Sequence, residues 1–144
     1  MILIDANLLI YSVNRDAREY RAAHEWLEST ISGTETIGLA WIVILTFIRL
    51  TTMPRLFLRP LTVKEAVQTV ENWLEQPGVT VIHPGERHAH ILRDLLLKVG
   101  TAGNLTTDAH LAALAIEHHA ELCTGDRDFA KFPGLRWRDP LNSQ

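Results

Sequence analysis

Cysteine is nearly absent from this chain of 144 residues: Cys123 stands alone. No disulfide can form within the chain, and the usual cysteine-based zinc patterns are excluded. Long apolar runs are missing as well. The longest, Ile37 to Ile48, falls well short of the ~20 residues a bilayer-spanning helix needs. The apolar start, Met1 to Tyr11, has no basic residues ahead of it and carries Asp5 and Asn7, unlike a secretory leader. A cytoplasmic protein with no membrane association is expected. Lysine is scarce, and 17 acidic residues outnumber 14 basic ones for a net charge of −3. A protein that grips nucleic acid by bulk charge would be strongly basic, so that class is excluded, while a local basic surface is not. Linkers, repeats and low-complexity tracts are also absent, which leaves a single domain over residues 1–144.

What remains is an alternation of short apolar runs with longer amphipathic ones. Ile2-Leu3-Ile4 reads as a strand buried on both faces. Ala17 to Ile31 has a helical face of Ala22, Ala23, Trp26 and Leu27. Thr36 to Leu39 is a second strand, and Trp41 to Thr52 a largely buried helix that Pro54 ends. Thr62 opens another helix, stopped at Pro77-Gly78. Val79 to Ile82 is a strand, Glu86 to Val99 a helix, Leu105 to Ala120 a helix, and Glu121 to Thr124 a strand. Leu135 to Trp137 is a candidate fifth. Strands separated by helices predict an α/β fold, a three-layer α/β/α sandwich with a central parallel sheet of four to five strands. In such sheets the functional site lies beyond the carboxyl ends of the strands, where the strand order reverses.

Three aspartates stand at such ends, and a fourth opens a helix. Asp5 follows Ile2-Leu3-Ile4 directly, and a helix N-cap is the plain alternative for it. Asp126 and Asp128 follow Leu122-Cys123-Thr124, where Gly125-Asp126 is also ordinary turn chemistry. Asp108 lies in the first turn of its helix, where the macrodipole favours an acid by ~0.3–1 kcal/mol. Each alternative is sound singly, but no capping requirement gathers four carboxylates at one sheet edge. Such a cluster repels itself and raises its own pKa values unless a cation sits within it. Hard oxygen ligands suit Mg²⁺ or Mn²⁺, and the matching chemistry is phosphoryl transfer with a metal-activated water. Asn7 and Thr124 are placed to orient a carboxylate or hold water.

Three segments carry a resemblance over the whole chain: Ile2-Leu3-Ile4-Asp5-Ala6-Asn7, then Leu105-Thr106-Thr107-Asp108-Ala109-His110-Leu111-Ala112, then Leu122-Cys123-Thr124-Gly125-Asp126-Arg127-Asp128-Phe129. The chain resembles the PIN-domain ribonucleases, particularly the VapC-like toxins of bacterial toxin–antitoxin modules. The ending Phe132-Pro133-Gly134-Leu135-Arg136-Trp137 with Asp139-Pro140-Leu141 is similar to one subgroup of them. The resemblance implies a Mg²⁺- or Mn²⁺-dependent endoribonuclease that leaves 5′-phosphate and 3′-hydroxyl ends, a homodimer, and a cognate VapB-like antitoxin as partner. It implies Asp5, Asp108 and Asp126 as metal-binding acids of the catalytic site, Asp128 as a further acid, and Thr124 as the hydroxyl beside the fourth. The family's second acid, a glutamate in the helix after the second strand, has no counterpart. The matching position is about Phe47, and no carboxylate occurs between Glu35 and Glu65. The expectation that follows is one well-held metal ion, preferably Mn²⁺, and an acid cluster open enough to accept an inhibitory arginine between Asp5 and Asp126.

Seven histidines do not make a zinc site, since His88 and His90, like His118 and His119, are spaced onto different helical faces. Arg49 and Arg55, with Arg59, are candidate RNA phosphate contacts and equally ordinary solvated arginines. Trp26 and Trp73 fall at core-like positions. Two other functions fit less of the chain. A haloacid-dehalogenase-like phosphatase needs a second aspartate where Asn7 stands, and a PIN fold that has lost catalysis would survive by binding RNA or protein.

Overall fold

The computed structural model describes residues 1–142; of the single domain expected over 1–144, residues 143 and 144 lie outside the described residues. Strand β1 (Ile2–Ile4) leads through Asp5 into α1 (Ala6–Val13), and α2 (Tyr20–Ile31) returns to β2 (Ile37–Ala40). That strand runs straight into α3 (Trp41–Thr51), followed by α4 (Val63–Leu74) and β3 (Val79–Ile82). The second half is α5 (His88–Val99), α6 (Thr106–Glu117), β4 (Glu121–Cys123) and β5 (Trp137–Arg138). Short 3-10 turns occupy Gly103–Leu105 and Arg127–Lys131.

All strand pairs are parallel, in the order β3-β2-β1-β4-β5. The chain winds outward from β1 through β2 to β3, then crosses to the other side of β1 to lay down β4 and β5. Right-handed crossovers therefore put α1 to α4 on one face and α5 and α6 on the other. The helix contacts divide the same way: α1 packs on α2 and α3, α3 on α4, and α5 on α6. The expected three-layer sandwich is what the chain forms, with five strands. The strand order reverses between β1 and β4, which locates the functional edge.

The strands β1 and β2 are buried along their whole length, as central strands covered on both faces are. Leu3, Ile4, Leu39, Ile44, Phe47, Leu114, Leu122 and Phe129 are among the fully buried side chains. Each contributes about 1.5–3 kcal/mol by leaving water. Local signals set the helix ends. Thr62 and Glu65 form a reciprocal capping box, with Glu65 N donating to Thr62 Oγ1 at 3.1 Å and Thr62 N to Glu65 Oε1 at 2.9 Å. Helix α5 stops at Gly100, whose φ of 82° lies in the left-handed region where a Cβ is costly.

Several bounds differ from the sequence reading. The helix expected from Ala17 begins at Tyr20, and that expected from Glu86 begins at His88. The segment after Asp5 is a helix in its own right, with Ala6, Leu8, Leu9 and Ser12 buried. Helix α1 is apolar on most sides because it is wedged among the sheet, α2 and α3, so the amphipathic period that marks a surface helix is weak in it.

Candidate active site

The pairing of β1 with β4 builds the site. Ile4 stands opposite Cys123, and Asp5 N continues the ladder by donating to Cys123 O at 2.9 Å. Asp5 and Thr124 therefore emerge side by side at the carboxyl ends of their strands. The Asp5 carboxylate does two jobs. Its Oδ1 accepts from Ala6 N at 2.7 Å, capping α1, and its Oδ2 accepts from the Thr124 hydroxyl at 2.7 Å. The helix-cap alternative and the acid-site reading are thus both true of Asp5.

Thr124, fully buried, is the hub. While donating to Asp5, its Oγ1 accepts from Asn7 Nδ2 at 3.3 Å and from Asp126 N at 3.0 Å. Asn7 Nδ2 also reaches Asp5 Oδ2 at 3.3 Å, and Asn7 Oδ1 accepts from Gly125 N at 3.2 Å. Asp126 Oδ1 accepts from Asp128 N at 2.9 Å, which starts the 3-10 turn. One hydroxyl and one amide therefore fix the directions of two carboxylates on two strands. Asp128 is exposed, and its Oδ1 lies 3.5 Å from Lys131 Nζ.

Asp108 faces the same edge from the first turn of α6 and is half-buried. Burial, then the charges of Asp5, Asp126 and Asp128, push its carboxyl up to about 6. Burial also raises Asp5, more than its bonds from Thr124 and Ala6 lower it, and Asp126 adds to the rise. All four predicted acids are therefore brought into one electrostatic group. Burial leads in both shifts, and the neighbouring carboxylates add to it.

A cavity of about 230 Å³ opens beside Asp5 and Asp108, walled by Ile42, Val43, Thr46 and Arg49 of α3 and by Thr107 and Leu111 of α6. The α3 wall corrects the reading that put the vacant acid position at Phe47. Phe47 points the other way, fully buried, with its ring centroid 4.9 Å from that of Trp73. Thr46 is the residue that faces the acids. It brings no charge, and its hydroxyl donates to Ile42 O at 2.7 Å within the helix. Arg49 reaches this wall. Arg55 lies exposed in the following loop and does not line the cavity. Arg59 is committed elsewhere, its Nη2 lying 2.7 Å from Asp16 Oδ1.

The histidines hold a contact the sequence conceals. His88 of α5 and His110 of α6 meet at 2.9 Å, Nε2 to Nδ1, and His88 Nδ1 lies 3.9 Å from Glu117 Oε1. Glu117 itself accepts from Gly85 N and Arg87 N. The arrangement pins α5 to α6. Among the described residues no three histidine, cysteine or acidic side chains form a preformed metal-holding group. The four aspartates still suit Mg²⁺ or Mn²⁺ in donor chemistry and charge. Mg²⁺ commonly takes only one or two carboxylates directly and keeps several waters, so a closed protein shell is not required.

A doubly wound parallel sheet with carboxylates gathered at its reversal point defines a class of α/β proteins with an acidic site at a strand edge. The chain belongs to the PIN-domain family, whose model matches residues 2–135. It is 44% identical to ribonuclease VapC37 of Mycobacterium tuberculosis over 140 residues, covering 97% of each chain. It is 43% identical to ribonuclease VapC33 of the same species over 141 residues, covering 98% of this chain and 99% of the relative. Among solved structures, a chain of the VapBC2 complex of Rickettsia felis bound to promoter DNA superposes with a TM-score of 0.69 at 18% identity, over 96% of this chain and 98% of that one. The M. tuberculosis toxin VapC20, described as cleaving the sarcin–ricin loop, also gives 0.69, at 17% identity over 94% and 99%.

Proposed function

We propose that this chain is a metal-dependent endoribonuclease, the toxin of a toxin–antitoxin module, hydrolysing RNA phosphodiester bonds in the cytoplasm. The observation that carries the reading is that Thr124 joins Asp5 to the Asp126–Asp128 turn at the β1–β4 reversal point while Asp108 shares a cavity with Asp5, in a chain with relatives named as VapC ribonucleases. Asp5, Asp108 and Asp126 would hold Mg²⁺ or Mn²⁺, with Asp128 assisting from the rim. When bound, such an ion lowers the pKa of a water and neutralises charge developing on phosphate.

The chain's own groups do the positioning. Thr124 and Ala6 N fix the two oxygens of Asp5, and Asp128 N fixes one oxygen of Asp126, so neither carboxylate needs to reorganise during the reaction. The hydroxide part of water joins phosphorus, the bond to the 3′-oxygen breaks, and that oxygen takes a proton. The products are a 5′-phosphate and a 3′-hydroxyl. The test is cleavage of RNA with Mg²⁺ or Mn²⁺, with EDTA and Asp5→Asn as controls.

A VapB-like antitoxin is the proposed partner, by analogy with the VapBC complexes among the structural neighbours. An arginine from it would find the negative charge of Asp5 and Asp126 waiting. The lack of an acid on the α3 wall favours a second reading, a PIN fold that binds RNA without cutting it, and the same cleavage assay separates the two. The proposed assembly is a homodimer. No helix among the described residues is long and apolar enough to cross a membrane.

A further inference from the structure

We infer that Arg49 serves as the second cation of this site, its guanidinium binding the RNA phosphate across the cavity from the acids, where a second metal ion would have no carboxylate to hold it. The inference rests on the ribonuclease reading above and assigns the chemistry of the opposite wall.

Ile42, Thr46 and Arg49 are four and three residues apart on α3, so they form one stripe, and all three line the acid cavity. Nothing on that stripe attracts a divalent ion. Thr46 is neutral, with its proton spent on Ile42 O, and the sequence holds no acid between Glu35 and Glu65. A two-metal nuclease sets its ions ~3.5–4 Å apart and clamps the attacking and leaving oxygens between them. Here one side of that clamp lacks its ligand.

Arg49 is suited to supply the charge instead. It is the one basic side chain on the cavity wall, and it makes no ion pair among the described residues. Neighbouring cations are engaged: Arg59 with Asp16, Lys131 with Asp128, and Arg138 with Glu121. Arg49 shares the cavity with Asp5 and Asp108 yet forms an ion pair with neither, so its guanidinium is left to meet a phosphate lying between them. A guanidinium offers two parallel N–H groups to two phosphate oxygens, a geometry lysine lacks. The last turn of α3 also favours a cation through the helix dipole. The dipole accounts for a positive charge at that end, whereas the placement of Arg49 on the stripe facing Asp5 is what the phosphate contact requires.

The experiment combines metal-free RNA binding and melting with a metal count and a cleavage assay. Binding of a fluorescein-labelled mixed-sequence RNA is followed by anisotropy in EDTA across a salt series. Arg49→Ala should weaken it about tenfold and lower the log–log salt slope by about 0.7, the loss of one phosphate contact on a single strand. Arg49→Lys should fall between. Thermal melting should be unchanged to within ~2 °C, because the side chain is exposed. Calorimetry should count one Mn²⁺ per wild-type chain. Thr46→Glu should bring the count to two and restore cleavage to the Arg49→Ala background. Wild-type RNA affinity and salt slope in Arg49→Ala would overturn the inference, and so would two Mn²⁺ in the wild type. If the wild type binds RNA through Arg49 yet never cleaves it, the hydrolytic reading fails while the contact stands.

Discussion

The hydroxyl of Thr124 donates to Asp5 Oδ2 at 2.7 Å, joining residues 119 positions apart. Because the same oxygen accepts from Asp126 N, one atom sets the spacing of two strand-end acids. Thr124→Val keeps the volume and removes both roles. Asp5 should then lose its preferred orientation, and Mn²⁺ affinity and cleavage should each fall about 10–100-fold, the usual cost of losing a group that orients a metal ligand. Thr124→Ser should retain most of both. Calorimetry and a cleavage time course check this, and wild-type values in the valine variant would mean Thr124 is only filler.

Asp126 tests the assignment of the late acidic motif. Its carboxylate is not part of the apolar core and, among the described residues, accepts only from Asp128 N, which an asparagine oxygen can replace. Asp126→Asn should therefore abolish most RNA cleavage while leaving the melting temperature within a few degrees of wild type. Unimpaired cleavage at limiting metal would remove Asp126 from the site.

The same geometry explains what can be read from the residues alone. Asp5 and Asp126 are legible because each closely follows a short apolar run, and a buried strand of a parallel sheet ends at the functional edge. The sheet itself is legible from the alternation of such runs with helical ones. The facing side of α3 is not. One residue turns a helix by about 100°, and every position from Trp41 to Leu45 is apolar, so periodicity cannot tell Thr46 from Phe47. Packing decides it: Phe47 fills the space beside Trp73, and that turns Thr46 and Arg49 to the cavity. The His88–His110 contact is hidden for a related reason, since it depends on how α5 lies against α6.

Metal removal and pH are linked through Asp108. Its carboxyl sits at about 6 against an ordinary 3.8, so between those values the folded protein holds a proton that the unfolded chain has released. Stability of the metal-free protein is therefore greatest at the acid end of that window, falls as the pH rises through it, and levels off above about 6. Asp5 is raised as well and acts in the same direction. In EDTA the melting temperature should drop by several degrees between about pH 5 and pH 7.5. Mn²⁺ should raise it more at the higher pH, where the acids are ionised and the ion relieves their repulsion. Equal melting temperatures at the two pH values, with and without Mn²⁺, would contradict the charge cluster.

The outer face of α3 bears on assembly. Trp41 and Leu45 are 48% and 57% exposed although both are large and apolar, and their four-residue spacing puts them on one stripe. The inner stripe of the same helix, Val43, Ile44 and Phe47, already supplies its contact with the core. An outward tryptophan and leucine therefore serve no packing need within the chain, and an apolar stripe left in water is what a second copy would cover. The proposed homodimer should use this face. Leu45→Asp places a charge at its centre without touching the acid cavity, so it should shift the protein to monomer while the fold persists. Light scattering at tens of micromolar should give twice the chain mass for the wild type and the single-chain mass for the variant, with unchanged circular dichroism. A wild-type monomer, or a Leu45→Asp protein that still dimerises, would move the interface away from α3.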